Sequence, residues 1–430
     1  MLINILHRAY QFKDMLIIIL AYNKYIITYI QRLIQLNNFK KLLLSSFMVA
    51  GAAIGSGVLA LPLVAAGPGV VNTILFISCT FILAYVMASV SIDVYSRYDN
   101  HDVNAATLAI DFFGKKGYWI TTILNVLSMG SLAAAYVNVG GDLLVKTVLP
   151  LVGISIPSQV GMIIFFVVFM PAFVVGLGLI SRLNGIIFTI KFLCLGIGIL
   201  LGISLIKPEI FEFAPSNVKY LGSAASTMFC IWMMHMVLPL VLKINDWNPV
   251  KAKKAVMIGM VIPALAYLGW MLLIFSLIPR EKFVELSTIG DVIHFALSRP
   301  EVPNLISSLI GIFSAITVLT AFLSIGFSLI AFVIDALKWQ NTPKSRLLST
   351  IISFIIPVFI ALIFPKGFLI IYQQSNMFQI AAALIPVVAA YAYNKKHNLT
   401  LTPQIIILLL GSLIILSQLL DNLSIFPIFH

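Results

Sequence analysis

The chain predicts an all-α polytopic membrane protein of eleven transmembrane helices, and three observations carry that prediction. Hydrophobic residues make up 61% of its 430 residues and charged residues only 10%, against roughly 45–50% and 25% in soluble domains. The apolar content recurs as long runs over the whole chain, whereas an outer-membrane barrel would show short alternating segments. Residues 42–66 carry no charge at all, and about 20 residues at about 1.5 Å rise already cover the hydrocarbon core.

That first span is also the most informative one. Its middle reads Gly51-Ala52-Ala53-Ile54-Gly55-Ser56-Gly57, followed by Pro62. Three glycines and a proline are poor material for a continuous helix. A span that breaks at mid-depth bares N–H and C=O groups where no water can satisfy them. Such groups are tolerated where they line a cavity, and there they form the binding site of a transporter.

The remaining spans are predicted at 70–92, 119–141, 159–179, 185–206, 220–242, 255–278, 304–334, 347–364, 368–393 and 403–420. Ionisable and polar residues inside them are costly and so are functional candidates. In the third span Tyr136 and Asn138 stand beside Gly140 and Gly141. In the fifth, Lys191 lies about 9 Å from one end at helical rise. It either snorkels to the interface or faces a dry cavity where it could take up and release a proton. His235 in the sixth span reads alone as a packing residue, but Pro239 four residues on frees a carbonyl near it, and the pair suits a broken helix. Thr317, Thr320 and Ser324 in the eighth span share one face, and the plain reading is that they bond back to their own helix. The tenth span carries Gln373-Gln374-Ser375-Asn376, a cluster that wants water or a partner helix. Cys79, Cys194 and Cys230 form no CxxC or Cys/His pattern, so they read as buried packing residues with no disulfide and no metal.

Loop charges orient the spans. With the N-terminus inside, cytoplasmic loops carry Arg97, Lys115, Lys116, Arg182, Lys243, Lys251, Lys253, Lys254, Lys338, Lys344, Arg346, Lys395 and Lys396. The opposite loops carry only Lys146, Lys207, Lys219, Arg280, Lys282, Arg299 and Lys366. Basic residues gather on the cytoplasmic side, which places the N-terminus inside and, with an odd number of helices, His430 outside. The net charge of +12 is thus mostly a topology signal, and basic residues scattered over many loops exclude a nucleic-acid partner. Residues 1–41 form an N-terminal segment too short in its apolar stretch to span. It reads equally as an interfacial segment on anionic lipid or as an over-extended start. Gly55-Ser56-Gly57-Val58-Leu59-Ala60 fits a loose dinucleotide-binding pattern, but no strand precedes it and no acid follows about 20 residues on. With no Ser/His/Asp or Cys/His arrangement either, the chain does not read as an enzyme.

The stretch Gly51 to Pro62, continuing as Leu63-Val64-Ala65-Ala66-Gly67, resembles the first-helix signature of the bacterial aromatic amino acid permeases, above all their tyrosine-carrying members. The likeness runs on in order over about residues 42–400. It passes through Phe113-Gly114-Lys115-Lys116-Gly117-Tyr118-Trp119, Ala134-Ala135-Tyr136, Lys191, His235 with Pro239, Asp246 with Asn248, Phe364-Pro365-Lys366-Gly367-Phe368 and Lys396-His397-Asn398. The resemblance implies a LeuT-like fold of two inverted five-helix repeats, about 42–206 and 220–393, with an extra helix at 403–420 and a short tail at 421–430. It further implies a multi-pass protein of the bacterial inner membrane that imports an aromatic amino acid, tyrosine first, together with a proton, and that uses no cofactor.

In that scheme Gly51, Ala53, Ile54, Gly55, Ser56 and Gly57 hold the substrate carboxylate, and Tyr136, Trp232, His235 and Thr320 shape the pocket. Lys191 is the proton-coupling residue, and Pro62, Pro239 and Asp246 serve helix breaking and gating. Three departures from the family pattern bear on cargo. The sixth span reads Ile231-Trp232-Met233-Met234-His235-Met236 with neither family glycine, which predicts a helix harder to unwind. Gln373 to Asn376 replace a glycine-rich stretch in the tenth. An acid expected late in the eighth is Ala331, although Asp335 remains. Two rivals follow: the same fold carrying another neutral amino acid or metabolite, or a non-transporting membrane sensor.

Overall fold

Each long apolar run folds as a helix, because in hydrocarbon a backbone must satisfy its own polar groups. The computed structural model describes residues 38–55, 57–98, 103, 105–175, 177–211, 218–286 and 288–426. In chain order the helices are α1 Asn38–Ala53, α2 Gly57–Ala65, α3 Val70–Tyr95, α4 Ala105–Leu143, α5 Ser158–Val175, α6 Leu177–Gly202 and α7 Leu221–Cys230. They continue as α8 Leu238–Ile244, α9 Pro249–Leu277, α10 Ile289–Leu297, α11 Asn304–Ala336, α12 Pro343–Ile363, α13 Phe368–Lys396 and α14 Thr402–Asn422. Among the described residues nine helical segments are long and apolar enough to cross a bilayer, ten when α1 and α2 count as one bent span. α6 is helical over the place of the fifth predicted span, and the apolar stretch Thr189–Leu205 runs from its second half through a 3-10 turn at Ile203–Leu205. Residues 1–37, most of the predicted N-terminal segment, lie outside the described residues.

The predicted spans and the helices agree closely, and three differences are instructive. The third run extends back to Ala105 because a second helix is joined to it through Gly114, whose φ of 63° lies in the left-handed region that glycine enters without cost. α10 was not predicted. Its start is nonetheless written in the sequence: Thr288 caps it, accepting from the Asp291 amide while the Asp291 carboxylate accepts from the Thr288 amide. Cys79, expected to be buried, is exposed. Only 39% of the apolar window of α3 is buried against other helices, so a small apolar thiol sits without penalty on the face left to lipid.

Close approach of helices fixes the frame around the first run. A Cβ on Gly141 would come within 2.5 Å of the Met162 backbone, and one on Gly140 equally close to the Phe165 ring. These two glycines therefore let α4 and α5 touch, as small residues do in membrane bundles. Likewise a Cβ on Gly259 of α9 would lie 2.6 Å from the Ser46 carbonyl oxygen of α1. Phe173 stacks on Phe354 with centroids 5.3 Å apart and meets Phe322 edge-on, locking α5, α12 and α11 into one aromatic cluster.

Candidate functional site at two helix breaks

The first break separates α1 from α2, whose axes differ by 51°. The Ile54 amide still donates to the Ala50 carbonyl at 2.9 Å, but the Gly55 amide turns back to the Ala53 carbonyl at 2.7 Å, and the helical ladder stops. Side chains from elsewhere reach the carbonyls at the break. Lys191 Nζ donates to the Ile54 carbonyl at 2.8 Å, and the Tyr267 hydroxyl lies 2.7 Å from the Ala53 carbonyl. Lys191 is only 4% exposed, so its ammonium turns into the bundle rather than to an interface. Gly55 is half-buried, and a Cβ there would meet no heavy atom within 4 Å, so this side of the break faces open space. Gly57 is walled instead: its Cβ would lie 2.8 Å from the Tyr372 hydroxyl and 3.3 Å from Ile231. Gly51 belongs to the last turn of α1, while Ser56 lies outside the described residues. Pro62 sits inside α2, so of the expected breaking residues the glycines mark the break and the proline does not.

The second break corrects the expectation that the sixth span would resist unwinding. α7 stops at Cys230, a 3-10 turn spans His235–Val237, and α8 begins at Leu238. Pro239 supplies the reason. It has no N–H for the His235 carbonyl and its ring disfavours a helix through the preceding turn. Short-range bonds substitute, from Trp232 to Phe229 at 3.1 Å, Met233 to Cys230 at 3.0 Å and Val237 to Met234 at 3.0 Å. The Ile231 carbonyl receives no backbone N–H among the described residues and lies 2.8 Å from the Tyr267 hydroxyl.

Other expected site residues fall at varied distances from this centre. Trp232 is fully buried, its indole N–H donating to Thr80 Oγ1 at 3.1 Å and its ring meeting Phe81 and Tyr267 edge-on. His235 is buried in the second break, and its Nδ1 finds no hydrogen-bond partner among the described residues. Tyr136 is buried on α4, and two residues on Asn138 donates to the Phe364 carbonyl at 2.7 Å. Thr320 bonds back to the Ile316 carbonyl at 2.9 Å and Ser324 to the Thr320 carbonyl at 2.8 Å, as the plain reading held. Thr317 is fully buried, and its hydroxyl finds no hydrogen-bond partner among the described residues. Asp246 lies outside the break, beyond α8, with φ 57°. It pairs with Lys41 at 2.6 Å and so clasps the ends of α1 and α8, beside an Asn245 to Ser45 bond of 2.9 Å.

Sequence reasoning missed Tyr267 and Tyr372. Tyr267 sits in an apolar span with nothing but a polar atom to mark it. Tyr372 directly precedes the tenth-span cluster, whose members all find partner helices. Gln373 donates to the Ser223 carbonyl, Gln374 to Asn422, Ser375 to the Ser128 carbonyl and Asn376 to Thr227.

The end of the bundle opposite Lys41 holds a cavity of about 220 Å³ whose lining includes Val64, Tyr220, Ser223, Phe283, Lys366 and Gln373. Arg280 closes the α2 carbonyl end there, reaching Ala66 at 2.7 Å and Gly67 at 2.6 Å. Nearby, Lys146 bridges the buried Asp142 at 2.6 Å and Asp291 at 2.7 Å, tying α10 to α4. Burial alone would raise the Asp291 carboxyl, but the Lys146 ammonium and the Thr288 hydrogen bonds hold it below its ordinary value of 3.8.

The two breaks lie side by side, with Gly57 against Ile231 and the Tyr267 hydroxyl touching both, an arrangement of the kind found in membrane transporters. Comparisons with known proteins point the same way. Residues 38–418 match the sequence profile of the tryptophan/tyrosine permease family. The chain is similar to tyrosine-specific transport system 1 of Haemophilus influenzae, 29% identical over 86% of this chain and 94% of the relative. It is 26% identical to a tryptophan-specific transport protein of Shigella flexneri, over 82% and 86% of the two chains. It is 23% identical to glutamine transporter 2 of Aliivibrio fischeri, over 84% and 91%. In fold it resembles the crystal structure of MhsT in complex with L-phenylalanine, with a TM-score of 0.61 over 89% of this chain and 98% of that one at 15% identity.

Proposed function

The chain belongs to the tryptophan/tyrosine permease family, and on that premise we propose that it imports an aromatic amino acid, tyrosine first, by proton symport through alternating access. It is a multi-pass membrane amino acid transporter and not an enzyme. The observation that carries the finer reading is the Lys191 ammonium on the Ile54 carbonyl at 2.8 Å. A charge-assisted bond of this kind is roughly twice as strong as a neutral one. With its proton Lys191 holds the first break in shape, and without it the bond weakens and the break relaxes. Proton release is thereby linked to the geometry of the site.

In this reading the substrate carboxylate meets the first break beside Gly55, at the half-helix N-terminus that Gly57 opens. The substrate ammonium meets carbonyls freed around His235. Tyr136, Trp232, His235 and Thr320 shape the side-chain pocket, while Lys41 and Asp246 close the cytoplasmic end. Eleven spans in two inverted sets of five plus one, with the N-terminus inside, complete the architecture, and the 220 Å³ cavity becomes the external approach.

A second cargo reading has its own support, since glutamine transporter 2 is among the relatives and the sixth span departs from the aromatic permeases. The sensor reading loses its ground, because the sixth span is unwound without the glycines. Uptake of labelled tyrosine into proteoliposomes, with and without an inward proton gradient, tests the proposal. Competition with tryptophan, phenylalanine, glutamine, leucine and serine accompanies it. Gradient-driven accumulation blocked best by aromatic amino acids is expected. Accumulation blocked best by glutamine would overturn the cargo, and accumulation indifferent to the gradient would overturn the coupling.

A further inference from the structure

A phenol carries one proton, yet the Tyr267 oxygen stands between two carbonyls that both want it. It lies 2.7 Å from that of Ala53 at the end of α1 and 2.8 Å from that of Ile231 just past α7. Tyr267 is fully buried on α9, and its ring is fixed edge-on against Trp232 with centroids 5.3 Å apart. The hydroxyl therefore cannot swing away to solvent, and the proton is shared or passed between these two acceptors.

The acceptors are not equally dependent on it. The Ala53 carbonyl also receives the Gly55 amide at 2.7 Å, whereas no backbone amide among the described residues reaches the Ile231 carbonyl. If the first break changes shape and the Ala53 carbonyl moves off, the proton goes wholly to Ile231. If the second break rewinds, Ala53 gains it.

We propose that Tyr267 is a positioning residue that couples the two helix breaks, so that the backbone shape of one is set by the state of the other through a single shared hydroxyl proton. The inference rests on the transport reading above for its purpose, but its content is the coupling of two backbone segments and needs no particular cargo. It gives the site a way to sense Lys191 at a distance. Lys191 touches the first break one residue beyond Ala53, and Tyr267 hands the resulting shift to the second break. Both halves of the substrate site then answer to one protonation event.

The test reads backbone exchange, not uptake, so a wrong cargo cannot masquerade as a wrong coupling. Hydrogen exchange is followed by mass spectrometry on the full chain in lipid nanodiscs without substrate, in peptides covering 50–58 and 228–238. Lys191→Met removes the contact to the Ile54 carbonyl of the first break. With Tyr267 in place it is expected to speed exchange about five-fold or more in both peptides, since locally opened segments exchange through their own equilibrium. In the Tyr267→Phe background, which keeps the ring against Trp232, Lys191→Met is expected to speed exchange in 50–58 only. The same response of 228–238 in both backgrounds would overturn the proposal, because the signal would then travel without the hydroxyl. Should Tyr267→Phe not fold, the first arm still decides against it whenever Lys191→Met leaves 228–238 unchanged. Lys41→Ala, which loosens α1 from α8 at the Asp246 clasp, supplies a second disturbance for the same readout.

Discussion

The two breaks reach the same end by opposite chemistry. The first opens where glycine lowers the cost of leaving the helix and its carbonyls are then met from α6 and α9. The second opens where Pro239 removes a donor, in a stretch of tryptophan and methionines with no glycine. Glycine permits a break; proline imposes one. What they share is a donor brought from outside, because a bare carbonyl left in a membrane interior costs about 1–3 kcal/mol or more. The comparison teaches that a broken span is recognised by who satisfies its carbonyls, and only secondarily by its own composition.

The asymmetry can be broken at its most sensitive point first. Gly55→Val, at a glycine of the first break that faces open space, should abolish uptake in folded protein, a loss of about 100-fold or more, read in proteoliposomes beside a melting curve. Unchanged transport would remove the carboxylate site from the first break. Lys191→Ala comes next. Losing a charged hydrogen bond of about 1.5–3 kcal/mol should cut gradient-driven uptake about ten-fold or more and abolish its response to pH, while exchange at equal pH persists.

Pro239→Ala sharpens the contrast from the other side. In the first turn of α8 Pro239 costs the observed fold little. Pro239→Ala, however, relieves a continuous sixth span of a penalty of about 3 kcal/mol, so that state competes and uptake falls about ten-fold with melting temperature unchanged or raised. A faster, less stable variant would show that proline is not what keeps the second break open. Asp246→Asn should have a smaller effect. The Lys41 pair is 40% exposed on the carboxylate side, and such pairs contribute about 0–1 kcal/mol, so a change in apparent affinity of up to about five-fold is expected.

The smallest expected effect lies outside the membrane, at the Lys146–Asp291 tie. Because the folded Asp291 carboxyl titrates below its ordinary value, the tie stabilises the protein above that ordinary value and is lost as pH falls through the lowered one. The melting difference between the unsubstituted protein and Asp291→Asn should therefore be constant from about pH 7 to pH 5 and shrink below about pH 4.

Much of this architecture was legible in the chain. The spans could be placed because apolar length is a requirement of the bilayer itself. The first break could be placed because Gly51, Gly55 and Gly57 are local signals. The tenth-span cluster announced its need for partners, and the Thr288 and Asp291 cap announced α10 to a reader who had looked outside the spans. Lys191 was visible as an anomaly, but whether it snorkelled or turned inward could not be read, since a lysine stem reaches either way. Tyr267 was not legible at all. A phenol in an apolar span is unremarkable until two distant carbonyls, 214 and 36 residues away in sequence, are seen to meet at its oxygen.

By itself, then, the sequence determined what depends on neighbours along the chain: where the spans lie, where glycine weakens one, where proline interrupts another, and to which family the order of motifs belongs. Only the tertiary structure decided which donors close those interruptions, that the sixth span opens despite its bulky residues, and that Asp246 clasps rather than breaks. The physical reason is that a buried carbonyl must be paired, but by which side chain is a matter of three-dimensional proximity, and no local pattern encodes it.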